Sequence, residues 1–484
     1  MPSSNMPRPA RSTRRRLAWG TAAVLAAGVA VPTLAQATPG GGPASAGASA
    51  GATAAGSAAA SPASGHKAKN VIVLIGDGMG DSEITLARDY TVGANGRLNM
   101  DGFPRTGAYT TYSVDEKGKP EYVTDSAASG TGWATGNKTV NGRISKTPGT
   151  DKPLPTMLEL AKKKGLATGN ITTADLTDAT PAVQNAHVRD RGCQGPADMK
   201  KCPRDTLGQG GGGSIAEQTV TTGADVLMGG GKEHFDQTVT EGPHKGRTVT
   251  EQARKAGYRL VTDKSGLESA TPGTPLLGLF ARSDIPVEWT GKPAARGGTD
   301  PQRCTTSNPE RPDTTPSLER QTSRAIELLE AQQKGKNGKA KVKGHGKKPG
   351  KGFFLQVEGA SIDKQDHVAD PCGQIGETVA FDRAVKVARD YARKHPDTLV
   401  VTSADHAHAS QIVPTDAKPA GLASTLITDE GRPLQVSYSN NDPAAAQEHT
   451  GTQVRIAASG PGADRVQGVT DQTDLFHTVT GALR

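Results

Sequence analysis

Three short apolar runs, each with the composition of a buried strand, are followed within a few residues by an acidic side chain. The runs are residues 71–75, 353–357 and 399–402, and the acids are Asp77, Glu358 and Asp405. Helical segments separate the runs, and strands that alternate with helices are expected to lie parallel in one sheet. Ligands of such sheets bind beyond the carboxyl ends of the strands, so we expect the acids to gather at one site.

The segment that follows residues 353–357 is rich in groups that bind metals. Asp363 and His367 are four residues apart, so on a helical turn they would share one face and could bind one ion. A solvated acidic loop capped by a histidine is the alternative for this segment alone. Three acids beyond three strands, with His367 and His406 near two of them, favour a metal site. Carboxylates with imidazoles suit zinc, and carboxylates with hydroxyls suit magnesium.

A serine and an arginine pair supply the remaining chemistry. Ser126 follows Asp125 and precedes small residues, so it could lie at a helix N-terminus, where backbone N–H groups favour anions. An N-terminal capping serine without chemistry is the alternative. Arg189 and Arg191 carry guanidinium groups that match two phosphate oxygens, although most exposed arginines have no such role. Near a metal site, these groups indicate phosphoryl transfer rather than peptide hydrolysis.

Hydrophobic periodicity predicts most of the regular structure. Helices are predicted over residues 155–164, 318–333 and 374–394, and further strands over residues 166–173 and 453–458. Residues 236–320 are rich in Pro, Gly and Thr, and we interpret them as loops with short strands. The fold class that follows is α/β.

Residues 1–37 have the pattern of an export signal peptide. Three arginines at positions 14–16 precede an apolar run over residues 17–34, and Ala-Gln-Ala at 35–37 is a cleavage-type ending. The arginines leave both the Sec and the twin-arginine route open. Pro32 and the short, Ala-rich run disfavour a membrane anchor. We therefore expect a secreted or extracytoplasmic protein without a stable membrane anchor.

Two segments of biased composition accompany the predicted fold. Residues 38–67 are rich in Ala, Gly and Ser and are predicted to be a flexible linker, and residues 334–351 to be a disordered, Lys-rich insert. The rest of residues 68–484 is expected to form a single domain. The net charge of +8 falls to +3 without the five arginines of residues 1–37, and to −5 without the eight lysines of residues 331–352. No nucleic-acid partner is therefore expected.

The chain has four cysteines and no Cys-x-x-Cys spacing, which favours two disulfides over a zinc ribbon in an exported protein. Three pairings are possible. We prefer the one that joins Cys193 to Cys202 in a short loop and Cys304 to Cys372 in a long one.

Six motifs resemble those of bacterial alkaline phosphatases of the periplasmic zinc/magnesium type. They lie at residues 75–80, 124–129, 178–181, 356–367, 402–410 and 447–451. The resemblance covers residues 68–482. It implies a three-layer sandwich, with a large and mostly parallel central sheet flanked by helices on both faces. It also implies hydrolysis of phosphate monoesters, inorganic phosphate as product and inhibitor, and a homodimer.

The resemblance implies two Zn²⁺ ions and one Mg²⁺ ion. The zinc that binds water and the leaving group would have the ligands Asp363, His367 and His449. The zinc that activates the nucleophile would have the ligands Asp77, Asp405 and His406. Magnesium would share Asp77 and add Thr180 and Glu358.

The resemblance also implies roles for residues that bind no metal. Ser126 would become a phosphoserine, and Arg191 would clamp the phosphate oxygens. Asp178 and Lys364 would lie near magnesium and phosphate. Asp125 and His408 would support the site, with His408 orienting Asp363.

Two other functions remain as alternatives. A phosphodiesterase of the same superfamily would share the metal ligands but need no arginine clamp for a dianion. A non-catalytic exported phosphate-binding protein would need no nucleophile. A sulfatase is disfavoured because its Cys-x-Pro-x-Arg motif is absent. The natural substrate is left open by these motifs.

Overall fold

Ten strands form one central sheet in the computed structural model, which describes residues 67–334 and 352–483. In chain order, the strands of the protein are β1 Asn70–Gly76, β2 Arg105–Thr110, β3 Ser113–Val114, β4 Pro120–Glu121, β5 Ala167–Asp175, β6 Val226–Gly230, β7 Arg259–Val261, β8 Leu276–Leu279, β9 Ala295–Arg296, β10 Phe353–Gly359, β11 Thr398–Ala404, β12 Ser410–Val413, β13 Leu422–Ile427, β14 Pro433–Tyr438, β15 Val454–Ser459 and β16 Gly468–Asp471.

The strand order of the central sheet is β16-β2-β15-β11-β1-β10-β5-β6-β8-β7. All neighbours in this sheet are parallel except that β15 runs antiparallel to both β11 and β2. A four-stranded antiparallel sheet with the order β12-β14-β13-β9 and a β3-β4 hairpin complete the strand pairing of the described residues. The prediction of a large, mostly parallel sheet is confirmed.

Helices cover both faces of this sheet. They are α1 Asp81–Thr91, α2 Ser126–Thr135, α3 Met157–Lys163, α4 Ala179–Asn185, α5 Ile215–Thr222, α6 Lys232–Phe235, α7 Val249–Lys255, α8 Lys264–Glu268, α9 Leu318–Lys334, α10 Ser361–His367, α11 Pro371–Lys394 and α12 Asp474–Ala482. Phe353 of β10 packs against Tyr391 of α11, whereas Gln356 donates to the backbone oxygen of Thr180 in α4. Side chains alternate between the faces of a strand, so α11 and α4 lie on opposite faces, as the three-layer prediction requires.

The register of the three central strands positions the site. The strand β1 is fully buried between β10 and β11, which explains why its sequence is a continuous apolar run. Gly76 lies opposite Gly359 on one side and opposite Ala404 on the other. Because these small residues end their strands at one level, the polar residues that follow them leave the sheet side by side.

The predicted helices and strands are present, with small shifts at their ends. The region 236–320 was predicted as loops with short strands, and its short strands β7 and β8 do join the central sheet, but it also contains the helices α7 and α8, which were not predicted. These helices have seven and five residues, too few for a clear helical period. The signal peptide, the linker up to residue 66 and the insert from residue 335 lie outside the described residues.

Two disulfides and one terminal contact close loops of the chain. The structure joins Cys193 to Cys202 and Cys304 to Cys372, which is the pairing preferred from the sequence. The backbone N–H of Ala68 donates to the oxygen of Ala482 at 2.9 Å, so the two ends of the fold meet. Within residues 67–334 and 352–483, no helix combines the length and apolar character that crossing a membrane requires.

Candidate active site

The acids predicted beyond the central strands do come together. Asp77 follows β1 directly and Asp405 follows β11, and both are buried. Gly78 follows Asp77, and its backbone N–H donates to Asp405 Oδ1 at 2.9 Å. Gly78 has φ +65°, and a Cβ there would lie 2.9 Å from the Cβ of Asp363. Only glycine fits this turn without displacing Asp363, which explains the glycine-rich sequence after β1.

A first group of metal-binding side chains surrounds Asp363 on α10. His449 Nε2 lies 3.2 Å from Asp363 Oδ1, and His367 Nε2 lies 3.4 Å from Asp363 Oδ2. The Nδ1 atom of His449 is 3.0 Å from the backbone oxygen of Thr124, and that of His367 contacts the backbone oxygen of Gln447. Histidine ligands of metals are typically held in this way, with one nitrogen on a carbonyl and the other free for the ion.

His408 also contacts Asp363 but is arranged differently. Its Nδ1 accepts the backbone N–H of Ala409 at 2.8 Å, so its proton resides on Nε2. Nε2 lies 3.2 Å from Asp363 Oδ1. Burial lowers the pKa of His408, which keeps the ring neutral. A neutral ring protonated at Nε2 offers no lone pair to an ion from that atom, and its position beside Asp363 is compatible with the supporting role that the resemblance implied.

A second group consists of Asp77, Asp405 and His406, and Ser126 lies against it. His406 Nε2 is 3.4 Å from Asp77 Oδ1 and 3.3 Å from Asp405 Oδ2. The Ser126 hydroxyl is 3.4 Å from Asp77 Oδ1 and 3.3 Å from His406 Nε2. A reactive hydroxyl therefore lies next to three potential ligands of one ion.

Glu358 and Thr180 form the third group implied for a metal. Glu358 is buried at the end of β10, and Thr172 donates its hydroxyl to it. Burial raises the pKa of Glu358 to about 8, although the hydrogen bond from the Thr172 hydroxyl counteracts the shift. The charge of Glu358 in turn contributes to the raised pKa of Asp77.

Crowding of carboxylates makes this end of the sheet a cation site. Burial, followed by the charges of Asp405 and Asp363, raises the pKa of Asp77 well above its usual range. Burial is also the main cause that raises the pKa of Asp405 to about 6. Ionised carboxylates so close together and so deeply buried are costly unless a cation is bound between them.

Asp178 connects two cationic side chains at the mouth of the site. It caps the N-terminus of α4, and its Oδ1 accepts from Arg191 at 2.8 Å while its Oδ2 accepts from Lys364 at 2.9 Å. Burial alone would raise the pKa of Asp178, but Lys364 and Arg191 outweigh burial and hold it well below its usual range. Both cations are thereby oriented at one place, as binding of a dianion requires.

Asp125 brings Arg191 and Ser126 together. It caps α2, with Oδ1 accepting the backbone N–H of Ala128 at 2.9 Å and Oδ2 that of Gly142 at 3.0 Å. The same Oδ2 accepts from Arg191 at 3.2 Å. Ser126 is the first residue of α2, so the nucleophile candidate and the arginine are held by one carboxylate.

The second arginine considered from the sequence has no part in this site. Arg189 is exposed on the surface, where it forms ion pairs with Asp151 and Glu116. One residue of the site was missed, since Asp284 Oδ2 lies 3.3 Å from Lys364 Nζ. Asp284 lies five residues after the end of β8, whereas Asp77 follows β1 directly, so the pattern of an acid immediately after a strand does not indicate it. The backbone oxygens that hold the histidines carry no signal in the sequence.

Comparisons with known proteins agree with this architecture. The sequence model of the alkaline phosphatase family matches residues 68–446 and 428–484. The chain is 61% identical to a streptomycin-6-phosphate phosphatase of Streptomyces griseus, covering 86% of this chain and 90% of that protein. It is 52% identical to an alkaline phosphatase of Escherichia coli, covering 86% of both chains.

Solved structures agree at the level of the fold. A cold-active alkaline phosphatase of Shewanella superposes with a TM-score of 0.62 at 24% identity, covering 86% of this chain and all of that one. The family match spans the fold and includes every residue of the site described above. The chain therefore belongs to the alkaline phosphatase family and is a phosphomonoester hydrolase.

Proposed function

We propose that the chain hydrolyses phosphate monoesters in two steps, first through Ser126 as the nucleophile and then through water. The position of the Ser126 hydroxyl is the observation that supports this proposal most directly. The hydroxyl is buried at the first turn of α2, within 3.4 Å of Asp77 and His406. Asp125 ties the same turn to Arg191, so a nucleophile and a phosphate-binding cation adjoin.

We further propose that two Zn²⁺ ions and one Mg²⁺ ion are bound here. The ligands would be those implied from the sequence: Asp363, His367 and His449 for one zinc; Asp77, Asp405 and His406 for the other; and Asp77, Thr180 and Glu358 for magnesium. The residues fit such ions, because Asp405 Oδ2 and Thr180 Oγ1 are buried and find no hydrogen-bond partner among the described residues. When bound, the ions supply Lewis-acid charge beside the reacting oxygens.

The residues of the chain account for binding and covalent transfer. Arg191 donates to two non-bridging oxygens of the phosphate, and Asp178 and Asp125 fix its orientation. In the first step Ser126 Oγ releases its proton to solvent and bonds to phosphorus, while the bond to the alcohol oxygen breaks and the departing oxygen takes up a proton from solvent to leave as the alcohol. In the second step water attacks the phosphoserine, Ser126 regains its hydroxyl proton and inorganic phosphate leaves. Two in-line displacements give net retention at phosphorus.

Trapping of the covalent intermediate tests the role of Ser126. The enzyme is incubated with labelled inorganic phosphate at mildly acid pH and quenched in acid, and the labelled peptide is identified. We expect label on the peptide that contains Ser126. The Ser126→Ala variant should lose most activity and all label but keep its metals, because binding of the ions does not depend on this hydroxyl.

Ser129 offers a matched control on the same helix. Its hydroxyl donates to the backbone oxygen of Asp405 rather than facing the ligand groups, so Ser129→Ala should still be labelled at Ser126. Label on another residue, or turnover without any label, would contradict the two-step proposal and indicate direct attack by water.

A rate comparison separates the proposal from the two alternatives. Hydrolysis of a simple phosphate monoester and of a diester is measured with and without a chelator. We expect the monoester to be preferred and its hydrolysis to be lost on chelation, then restored by Zn²⁺ and Mg²⁺, since His and Asp ligands hold these ions reversibly. A diester preference would indicate the phosphodiesterase, and phosphate binding without turnover the binding protein.

We propose streptomycin-6-phosphate as a substrate to test beside simple monoesters, because the relative from Streptomyces griseus is named for it.

We also infer that the protein acts outside the cytoplasm, because it contains two disulfides and its first 37 residues have the pattern of an export signal. The homodimer stays a prediction.

A further inference from the structure

A second cluster of metal-binding side chains lies outside the active site, at the carboxyl end of β5. Asp175 is the last residue of this strand, and Glu233 and His234 belong to α6. One ligand atom from each of these three residues can be chosen so that all lie within 4.8 Å of one another. His234 Nε2 is 3.2 Å from Asp175 Oδ2. The proposed phosphatase mechanism uses none of the three.

Asp198 lies near the other nitrogen of the histidine. Its Oδ2 is 3.6 Å from His234 Nδ1, beyond hydrogen-bond distance, and Nδ1 makes no hydrogen bond with any residue that the structure describes. Asp198 Oδ2 is itself fixed by the backbone N–H of Gly195 at 2.9 Å and by Gln237 at 3.3 Å. A carboxylate near one ring nitrogen, with the other nitrogen directed at Asp175, can support a histidine that binds a metal.

The cluster contains a buried oxygen that lacks a partner. Asp175 is only 8% exposed, and its Oδ1 makes no hydrogen bond with any residue that the structure describes. A buried carboxylate oxygen without a partner is costly, and a bound cation would remove that cost. Glu233 is paired with Arg282 at 3.0 Å, but the arginine side chain is 86% exposed. Ion pairs of this kind contribute little, so Glu233 can turn towards an ion.

Charge and access also favour a cation. Among the described residues, Glu233 is paired with Arg282, while the neighbouring Lys232 is paired with Asp236. An open cavity of about 460 Å³ is lined by Lys232, Glu233, Asp236, Gln237 and Arg282, so it reaches Glu233 of the cluster.

We propose that Asp175, Glu233 and His234 bind a Zn²⁺ ion that is separate from the ions of the active site. One imidazole and two carboxylates suit zinc better than magnesium or calcium, which prefer oxygen ligands alone. Three protein ligands leave a fourth position to water. The ion would fasten the end of β5 to α6.

The bound ion would also support one wall of the active site. The backbone N–H of Asp175 donates to Asp284 at 3.0 Å, and Asp284 contacts Lys364.

A proton on His234 is the alternative to a metal ion in the cluster. Burial lowers the pKa of His234, but its bond to Asp175 and the nearby acids outweigh burial and raise it. A protonated His234 would satisfy Asp175 without any metal.

Zinc titration of the intact holoenzyme, with the metal content measured per chain, distinguishes the two occupants. We expect the wild type to bind one Zn²⁺ per chain more than His234→Ala, and Glu233→Gln to bind this ion at least tenfold more weakly. The difference in zinc content between the wild type and each variant does not depend on how many ions the active site holds. This difference therefore tests the cluster separately from the proposed function. Phosphatase activity should be retained in both variants.

Two control variants sharpen the comparison. Asp236→Asn removes an acid next to α6 that lies outside the cluster, and His477→Ala removes an exposed histidine on α12. Both should bind as much zinc as the wild type. Equal zinc binding by the wild type, His234→Ala and Glu233→Gln would overturn the proposal and assign the cluster to an ion pair. If His234→Ala does not fold, Glu233→Gln decides alone, because Glu233 lies at the surface.

Discussion

Asp178 shows how a single carboxylate can prepare a site for an anion. Each of its oxygens holds one cation, Arg191 or Lys364, and the helix α4 begins behind it. The two cations are therefore oriented before the phosphate arrives, and little side-chain entropy is lost when it binds. The arginine remains free to donate from the rest of its planar fork.

We expect Arg191→Ala to weaken phosphate binding and slow turnover while leaving the metal content unchanged. Hydrogen bonds to charged groups contribute about 1.5–3 kcal/mol each, so loss of the two from Arg191 predicts a rise of roughly 150-fold or more in the inhibition constant of inorganic phosphate. Steady-state kinetics and metal analysis measure both effects. Arg254→Ala, at an exposed arginine of α7, is the control and should change neither. Loss of zinc from Arg191→Ala would contradict the assigned role.

For individual residues, the sequence predicted side chains of the candidate site but not the backbone groups that hold those side chains in place. The acids after the strands and Ser126 carry a local signal, namely a polar residue at the end of a strand or at the start of a helix. The carbonyl of Thr124 that holds His449 is 325 residues away in the chain, and any residue type could supply it. Such contacts exist only once the fold is formed.

Among the elements, α11 illustrates how a helix can begin earlier than its amphipathic pattern. The pattern predicted a start at residue 374, whereas the helix begins at Pro371, with Asp370 accepting from the backbone N–H groups of Cys372 and Gly373. An acidic cap followed by proline is a good start signal that periodicity alone does not contain.

The same helix carries a buried acid whose ionisation is costly. Burial raises the pKa of Glu377 to about 7, from an ordinary value near 4.5. Between these pH values the unfolded chain releases this proton while the folded chain retains it, so stability falls as pH rises. The contribution is at most about 3 kcal/mol, at 1.36 kcal/mol per pH unit.

Glu377→Gln should therefore flatten the fall in unfolding free energy between pH 5 and pH 8. The amide keeps an oxygen to accept the backbone N–H of Glu288 but cannot ionise. Urea denaturation at several pH values measures the effect, with Glu310→Gln, at an exposed acid, as the control. Parallel pH profiles for the wild type and Glu377→Gln would show that Glu377 does not titrate in this range.

For the whole molecule, the order and direction of strands could be predicted only in part. The central strands can be recognised from the sequence, because a strand that is buried on both faces has a continuous apolar run. The antiparallel direction of β15 has no such signature, since it depends on the path of the chain from β14 rather than on residues 454–459. The short edge strands β7 and β8 are likewise defined by their neighbours in the sheet, not by their own sequences.

Because the backbone groups of Ala68 and Ala482 are hydrogen-bonded to each other, the two ends of the fold lie next to one another. A short peptide could join these residues, and new ends could be opened between Lys334 and Gly352. In such a circular permutant β10 would be the first strand to leave the ribosome and α9 the last helix, while each strand would keep its neighbours in the sheet. We expect the permutant to retain the kcat/KM of the parent for a phosphate monoester. The strands of the active site would then fold into the same arrangement in either order of synthesis. The geometry of the site would depend on which strands are neighbours in the sheet and not on where the chain begins.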